Sequence, residues 1–275
     1  MKWLATFFRW IFSWSFVFFL VPVLGVATFL WAPALDSWLP RDVSEHGRTI
    51  DDLFMFILYL TGVVFIATEL VLVWFMWKYN RTQNAEPVKF THGSHTLEVV
   101  WTILPAATLL FIAVYQMEAW ASAKMRPPTV VENGQEVPMP PTAEVTGRQF
   151  EWRIRYPGSD GVLGTPDDVH TVNDLHLPVG EEIMLHLKSE DVLHSFFLPN
   201  VRVKQDVVPG MLQRMWFKAK ETGSYDIVCA ELCGWGHYKM KGQVTFEPRS
   251  RFDDWLDAKF TEQNTTTAPP PLEEE

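Results

Sequence analysis

The chain has 275 residues, and its 33 acidic against 23 basic side chains leave a formal net charge of −10 at pH 7. This acidic balance argues against nucleic acid as a partner, while 13 Trp and 20 Phe exclude a disordered chain and two Cys exclude a disulfide scaffold. The first 120 residues are largely apolar and the remainder is polar, so the near-zero mean hydropathy hides two unlike parts.

The N-terminal part contains three apolar segments. They lie between Arg9 and Asp36, from Leu53 to Trp77, and from Val99 to Met117. Glu69 is the one charged residue within them, and a helix of about 20 apolar residues crosses a bilayer core. We therefore expect an N-terminal hydrophobic segment (residues 1–35), a transmembrane helix in its own right, followed by a transmembrane helical hairpin (residues 50–120).

The first apolar segment has a second interpretation. Lys2 and Arg9, followed by an apolar run that ends at Ala32-Pro33-Ala34, also fit a secretory signal peptide with a small-x-small cleavage site. The apolar region of a signal peptide normally runs to about 15 residues. This one is longer, which favours a retained transmembrane helix.

The loop that connects the second and third segments is basic. It carries Lys78, Arg81 and Lys89 against Glu86, whereas the preceding connector is rich in acidic residues. The positive-inside rule places the basic loop in the cytoplasm. The chain after Glu118 then lies on the outer face, and we expect a multi-pass protein of the bacterial cell (inner) membrane whose polar part is periplasmic.

Beyond the third segment the pattern changes twice. Residues 121–141 are rich in proline and are predicted to form an extended linker. Residues 142–250 contain short runs of period-two alternation between Gly, Pro and Asp turns, which indicates a small antiparallel β-sandwich. Residues 251–275 are predicted to form an amphipathic helix over Arg251 to Phe260 and a disordered tail. The expected fold class is an α+β membrane protein, with transmembrane helices followed by an extracytoplasmic β-sandwich.

Both cysteines lie in the segment Cys229-Ala-Glu-Leu-Cys233-Gly-Trp-Gly-His237-Tyr-Lys-Met240, directly after a predicted strand. A disulfide is the simple interpretation outside the cytoplasm, but imidazole and thioether groups take no part in one. Zinc suits thiolate and imidazole but rarely takes a thioether, whereas Cys, His and Met together are typical of copper in electron-transfer sites. Because two thiolates can bridge two metals, the segment indicates a binuclear copper centre.

Such a centre needs a second imidazole from elsewhere in the sandwich. His194 follows a turn and opens an apolar run, which suits an imidazole fixed at the end of a strand. His170, His176 and His186 lie in or near alternating strand patterns and are expected on solvated faces. His194 is therefore the favoured candidate.

Several motifs together resemble subunit II of the haem–copper cytochrome c oxidases. They are His-Ser-Phe-Phe-Leu-Pro-Asn from His194, Val-Lys-Gln-Asp-Val-Val-Pro-Gly-Met from Val203, the cysteine segment, and Glu-Val-Val-Trp-Thr-Ile-Leu-Pro from Glu98. The resemblance covers roughly residues 50–250. It implies a cupredoxin domain that holds the binuclear CuA copper centre.

The resemblance also implies the ligands of the metals. Two bridging thiolates, two terminal imidazoles and a weak thioether ligand are implied at Cys229, Cys233, His194, His237 and Met240. Glu231 is implied to offer its backbone carbonyl to one copper. Its side chain is implied to bind a magnesium or manganese ion shared with subunit I, and a carboxylate suits such a hard cation.

The chain departs from the family at the place where electrons enter. The family usually carries Gly-x-Gln-Trp-x-Trp, whose first Trp stands over the copper centre, but this chain reads Gly147-Arg-Gln-Phe150-Glu-Trp152. Either Phe150 still provides the stacking surface, or Trp152 takes over, or the donor docks differently. The resemblance further implies that Asp191 contributes to donor docking and that Glu98 takes up protons, although an acid at a membrane boundary is also common as a simple interfacial residue.

The implied function is that of the subunit through which electrons enter a respiratory cytochrome c oxidase. Electrons from cytochrome c, or from a cytochrome c domain of another complex, would pass through the copper pair to haem in subunit I, where oxygen is reduced to water with proton translocation. The expected partners are subunit I, other oxidase subunits and membrane lipid. The chain has no Cys-x-x-Cys-His haem motif, so the oxygen chemistry is assigned to subunit I.

Three other functions share part of this sequence pattern. A nitric oxide reductase subunit can carry the same copper centre, and Glu98 only weakly favours the oxidase. A membrane-anchored copper-delivery protein would need exposed, exchangeable ligands, which the Gly234-Trp-Gly236 setting disfavours. A quinol oxidase subunit of the same fold would lack the cysteine pair.

Overall fold

The computed structural model describes residues 14–35, 38–79, 90 and 92–267, which form two compact parts. The described residues of Met1–Pro40 and Asp51–Gln116 form the first part, and those of Arg41–Ile50 and Met117–Glu275 form the second. Of the four charges named in the basic loop, Arg81, Glu86 and Lys89 lie outside the described residues. The assignment of inner and outer faces therefore stays a prediction.

The apolar N-terminal sequence forms helices α1 (Trp14–Trp31), α2 (Gly47–Lys78) and α3 (His95–Tyr115), with a 3₁₀ turn at Ala32–Leu35 after α1. Helices α2 and α3 are long and apolar enough to cross a membrane, and their most apolar stretches bury no residue within the chain. The two spans predicted for residues 50–120 are thus helices. The described part of α1 has 18 residues, and whether it is retained or cleaved stays a prediction.

Helix α3 begins at a side-chain cap. Ser94 Oγ accepts a hydrogen bond from the backbone N–H of Leu97 at 3.5 Å, and Glu98 lies in the first turn, where the helix dipole favours a negative charge. Pro105 lies inside the helix without ending it. The cap places Glu98 at the helix end, with 52% of its side chain exposed.

The polar part of the chain is a β-sandwich. Its strands are β1 (Thr129–Glu132), β2 (Gln135–Pro138), β3 (Ala143–Arg148), β4 (Glu151–Tyr156), β5 (Val169–Val172), β6 (Asp174–Pro178), β7 (Glu182–Ser189), β8 (His194–Leu198), β9 (Val203–Val207), β10 (Gln213–Lys218), β11 (Gly223–Cys229) and β12 (Lys241–Glu247). One five-stranded sheet has the order β10-β7-β3-β4-β5 and the other β6-β12-β11-β8-β9. The expected sandwich is confirmed, but it is mixed rather than antiparallel, because β3 pairs with β7 and β6 with β12 in parallel.

Strand β4 illustrates how the sequence builds the core. Trp152, Ile154 and Tyr156 are buried and alternate with the partly exposed Glu151, Arg153 and Arg155. This period of two is what a strand with one face on a core requires. Facing residues of the other sheet complete the core, among them Leu175, Phe196, Val244 and Phe246.

The segment predicted as an extended linker is more ordered than expected. Helix α4 (Met117–Lys124) runs into it, and β1 and β2 pair as a hairpin. The turn of that hairpin is Asn133-Gly134, with φ of 52° and 78°, which is the positive-φ geometry that Asn-Gly favours in two-residue hairpin loops. The proline count therefore concealed a recognisable hairpin signal.

The C-terminal helix is also longer than predicted. Helix α5 (Arg249–Thr267) continues beyond Phe260 and includes the first residues expected to be disordered. Phe252 is buried against the sandwich near Tyr156, and the indole of Trp255 stacks on His176 with ring centroids 4.0 Å apart. Residues 268–275, the rest of the predicted tail, lie outside the described residues.

Candidate metal centre

The cysteine segment connects two neighbouring strands at one end of the sandwich. Cys229 ends β11, Met240 precedes β12, and a 3₁₀ turn at His237–Lys239 lies between them. Strand β8 pairs with the end of β11, with Cys229 opposite Phe196, and the N–H of Ala230 donates to the carbonyl of Ser195 at 3.0 Å. Sheet pairing therefore brings His194, the first residue of β8, beside Cys229.

The ligand-type side chains converge at this end. The Sγ atoms of Cys229 and Cys233 are 3.9 Å apart, and Cys233 Sγ lies 3.6 Å from His237 Nδ1 and 3.8 Å from Met240 Sδ. Ligand atoms of His194, Cys229 and Cys233 all lie within 4.8 Å of one another. Both cysteines are free thiols. The structure thus brings together all five side chains that the sequence suggested as copper ligands.

The imidazole of His194 has one nitrogen without a partner. His194 is fully buried, and its Nε2 lies 2.8 Å from Asp191 Oδ1. A carboxylate only accepts hydrogen bonds, so Nε2 carries a proton, and in the neutral imidazole Nδ1 presents a lone pair. Nδ1 is buried without a hydrogen-bond partner. A buried acceptor left unpaired is costly, and a metal ion would satisfy it.

The pKa values of the Cys229 and Cys233 thiols are shifted in opposite directions. Burial raises the pKa of Cys229, but contacts with His194, with the backbone of Ser195 and Glu231, and with His237 outweigh it, so the pKa lies below its ordinary value. For Cys233, burial and then the nearby Cys229 thiolate raise the pKa. One thiolate thus forms readily in the metal-free chain. The second would be favoured by a bound cation, because metals bind cysteine as thiolate.

The chemistry of these donors fits a soft metal. Two thiolates, two imidazoles and a thioether are the ligand types that suit copper. The carbonyl oxygen of Glu231 lies 3.3 Å from Cys229 Sγ, so the backbone of Glu231 is at the centre. The Glu231 side chain is partly exposed.

The remaining predicted site residues have different placements. Trp152 is fully buried beneath the centre, with its ring edge-on to His194 at 6.0 Å between centroids. Phe150 is partly exposed beside the cysteine segment. Of the two aromatic candidates for donor contact, only Phe150 reaches the surface. Glu98 lies in the other compact part, at the start of α3.

Asp191 contacts the centre directly. Besides His194 Nε2, its carboxylate accepts from the N–H of Gln149 at 2.8 Å and from the N–H of Val192 at 2.6 Å. Burial opposes ionisation of Asp191, but these hydrogen bonds outweigh it and hold its pKa below the ordinary value. The expected docking residue is therefore also the group that orients the His194 imidazole.

Two residues at the centre were not singled out from the sequence. Gln149 Nε2 donates to the carbonyl of Cys233 at 2.5 Å, which fastens the metal loop to the β3–β4 turn. Trp235 lies on the loop itself and contacts Phe150. The Gly-x-Gln pattern before Phe150 and the Gly-Trp-Gly triplet are the signals that point to them.

The other histidines do not reach the centre. His176 lies between Asp174 and Glu247, with its Nδ1 2.7 Å from Glu247 Oε1, and stacks on Trp255. The backbone carbonyl of His170 accepts from Gln263 Nε2. His186 is half-buried on β7, where burial and then Arg214 lower its pKa. Among the described residues, His194 is thus the histidine that the fold brings to the cysteine pair.

Two family models match this chain. One, described as the periplasmic domain of cytochrome c oxidase subunit II, matches residues 151–245, and one described as the transmembrane domain of that subunit matches residues 37–119. They cover most of the sandwich and both long apolar helices.

Relatives of known family agree with these matches. The chain is 30% identical to the alternative cytochrome c oxidase subunit 2 of Bradyrhizobium diazoefficiens, over 90% of this chain and 92% of that protein. It is 28% identical to cytochrome c oxidase subunit 2 of Thermostichus vulcanus, over 87% and 83%. The crystal structure of the periplasmic domain of subunit II of cytochrome oxidase from Bradyrhizobium japonicum is 28% identical, with 45% of this chain and 99% of that chain covered and a TM-score of 0.40.

Proposed function

The chain belongs to the cytochrome c oxidase subunit II family, and from that premise we propose that it is the subunit through which electrons enter its oxidase. It accepts electrons from cytochrome c, or from a cytochrome c domain of another complex, at a binuclear copper centre. It passes them to haem in subunit I, where oxygen is reduced to water and protons are translocated. It is a membrane protein with an extracytoplasmic domain, and we assign it to the bacterial inner membrane with that domain in the periplasm.

The observation that carries this proposal is the buried, unpartnered Nδ1 of His194 beside two thiols whose sulfur atoms are 3.9 Å apart. The residues assigned to hold two copper ions are His194, Cys229, Glu231 (through its carbonyl), Cys233, His237 and Met240. When bound, such a pair supplies a one-electron carrier whose charge is shared over two metals. With all its ligands from protein, the site relays electrons rather than making bonds.

The surrounding residues hold the donor set in place. Asp191 fixes the tautomer and orientation of His194, as partners of metal-bound histidines generally do. Gln149 fastens the carbonyl of Cys233, and Trp152 packs under His194. This support limits the movement of ligands when the charge on the site changes.

Three further roles are assigned to Glu231, Glu98 and Asp191. The carboxylate of Glu231 is partly exposed, so it is accessible to a magnesium or manganese ion held jointly with subunit I. Glu98, half-exposed at the end of α3, is assigned to proton uptake for subunit I. Asp191 has 29% of its side chain exposed and can also face a basic donor.

The experiment that tests the proposal uses the full chain in detergent after copper is restored. We expect two copper ions for each chain, and an electron paramagnetic resonance spectrum of the half-reduced protein that is split by two equivalent copper nuclei. A spectrum from one isolated copper, tightly bound zinc, or a disulfide between Cys229 and Cys233 in the active protein would contradict the assignment.

A further inference from the structure

Trp235 is the most exposed large hydrophobic side chain on the metal loop. It lies between Gly234 and Gly236, two residues from both Cys233 and His237, and 80% of it is exposed. Tryptophan is enriched at protein interfaces, where its large apolar ring is buried against a partner. It is also enriched among the residues that dominate interface energies. Its exposure beside two assigned copper ligands therefore needs an explanation.

The ring of Trp235 is held by a fixed support. It meets the ring of Phe150 edge-on, with centroids 5.1 Å apart and planes at 70°. Gly234 has a φ of +135°, and a Cβ at Gly236 would lie 2.5 Å from the Phe150 ring. Both positions need glycine, so the loop lies directly on Phe150 and presents Trp235 outwards.

The neighbours of Trp235 extend this surface. Tyr238 is 67% exposed, and the Lys239 ammonium lies 5.9 Å from the Trp235 ring centroid and 5.5 Å from that of Tyr238. The cation lies over both rings at distances typical of a cation–π contact. Trp235, Tyr238 and Lys239 thus form an ordered aromatic surface, which we call the loop platform.

We propose that Trp235 is the side chain that touches the electron donor, with Phe150 as its support. The inference rests on the proposed function. The occupant is a c-type cytochrome, because an electron donor is the partner that must approach the copper-binding loop itself, and the apolar edge of its haem matches an indole face. In the step, one electron would leave the reduced haem of the cytochrome, which is oxidised, and would be taken up by the copper that the loop and His194 would hold; no bond is formed and no proton is moved.

The test compares three variants of the copper-loaded full chain in detergent. Trp235→Ala removes the ring, Trp235→Phe keeps a smaller one, and Leu232→Ala is the control, since Leu232 is 76% exposed on the same loop. Binding of oxidised horse heart cytochrome c to the oxidised protein is measured by calorimetry. The second-order rate of reduction by ferrocytochrome c is measured by stopped flow, and the copper spectrum is recorded for each variant.

We expect Trp235→Ala to weaken binding about tenfold and to slow reduction by at least as much, with an unchanged copper spectrum. Trp235→Phe should fall between this variant and wild type, and Leu232→Ala should match wild type. Unchanged binding and rate in Trp235→Ala, an altered copper spectrum, or an equal loss in Leu232→Ala would overturn the inference while leaving the proposed function intact. Failure of the wild-type chain to bind copper or to accept electrons would instead overturn the proposed function.

Discussion

The metal-binding end of the sandwich and the membrane helices use tryptophan in opposite ways. Trp152 is fully enclosed between His194 and Phe196, whereas Trp101 on α3 has 61% of its surface exposed. The packing of the first is fixed by this chain alone. The second has its environment supplied by lipid or by a partner subunit, because spanning helices turn apolar side chains outwards. A tryptophan in the sandwich therefore reports how the core beside the metal centre is packed. A tryptophan on the membrane helices reports contact with lipid or with a partner subunit.

The sharpest test of this contrast removes one donor from the metal end. Cys233→Ser replaces a soft thiolate by a hydroxyl, which copper does not favour, and we expect loss of the binuclear spectrum and of fast cytochrome oxidation. Cys233 lies on a loop outside the strand pairing but is buried in the core, so the metal-free sandwich should stay folded and unfold at a slightly lower temperature than wild type. Paramagnetic resonance, stopped-flow oxidation of ferrocytochrome c and thermal unfolding followed by circular dichroism measure these three quantities.

Ala230→Ser is the matched control for that variant. Ala230 is exposed in the same segment, so the change adds a hydroxyl without removing a ligand. Equal loss of copper in the control would mean that the segment, and not the Cys233 sulfur, is what the change disturbs.

A second prediction compares the two tryptophans directly. Trp152→Ala leaves a cavity in the core and should destabilise the sandwich by about 3–5 kcal/mol. Trp101→Ala removes a ring that contacts little of this chain and should change its unfolding free energy by less than about 1 kcal/mol. Urea unfolding of the full chain in detergent, followed by far-ultraviolet circular dichroism of both the sheets and the helices, gives both values. Similar losses in the two variants would break the comparison.

A third and smaller effect is expected at Asp191. Asp191→Asn keeps the shape but removes the charge that holds His194, and loss of such a partner typically lowers metal affinity by about 10–100-fold. Competition with a copper chelator measures this affinity. Glu190→Gln is the matched control, because Glu190 lies in the same turn and pairs with Arg148 at 3.5 Å instead of with His194. If both variants lose affinity equally, the local charge matters and the hydrogen bond does not.

The fold could be predicted from the sequence wherever one strand face is buried. Strand β4 could be predicted because residues 151–156 alternate with a period of two. Helix α3 could be predicted from the length of its uncharged apolar run. The Asn133-Gly134 turn is a local signal for the β1–β2 hairpin. The hairpin was nevertheless not predicted, because the surrounding prolines favoured an extended linker. The two parallel pairings could not be predicted, since they join strands far apart in the chain.

The candidate site also combines features that the sequence predicts with features that depend on contacts between distant segments. The candidate ligand types and their spacing within Cys229 to Met240 are visible in the sequence. His194, the histidine favoured from the sequence, lies beside the cysteine pair. The hydrogen bonds of Asp191 and Gln149 could not be read in advance, because they depend on how the β3–β4 turn meets the loop. The exposure of Trp235 likewise depends on that meeting of segments.

The donor set is divided between paired strands and the loop that connects two of them. His194 and Cys229 belong to paired strands, whereas Cys233, His237 and Met240 follow on the connecting loop. Once the sheets of a newly made chain have formed, two of the five candidate ligands, His194 and Cys229, are therefore already in place. We expect metal to bind first at the strand residues His194 and Cys229 and its binding to be completed when the loop closes over them.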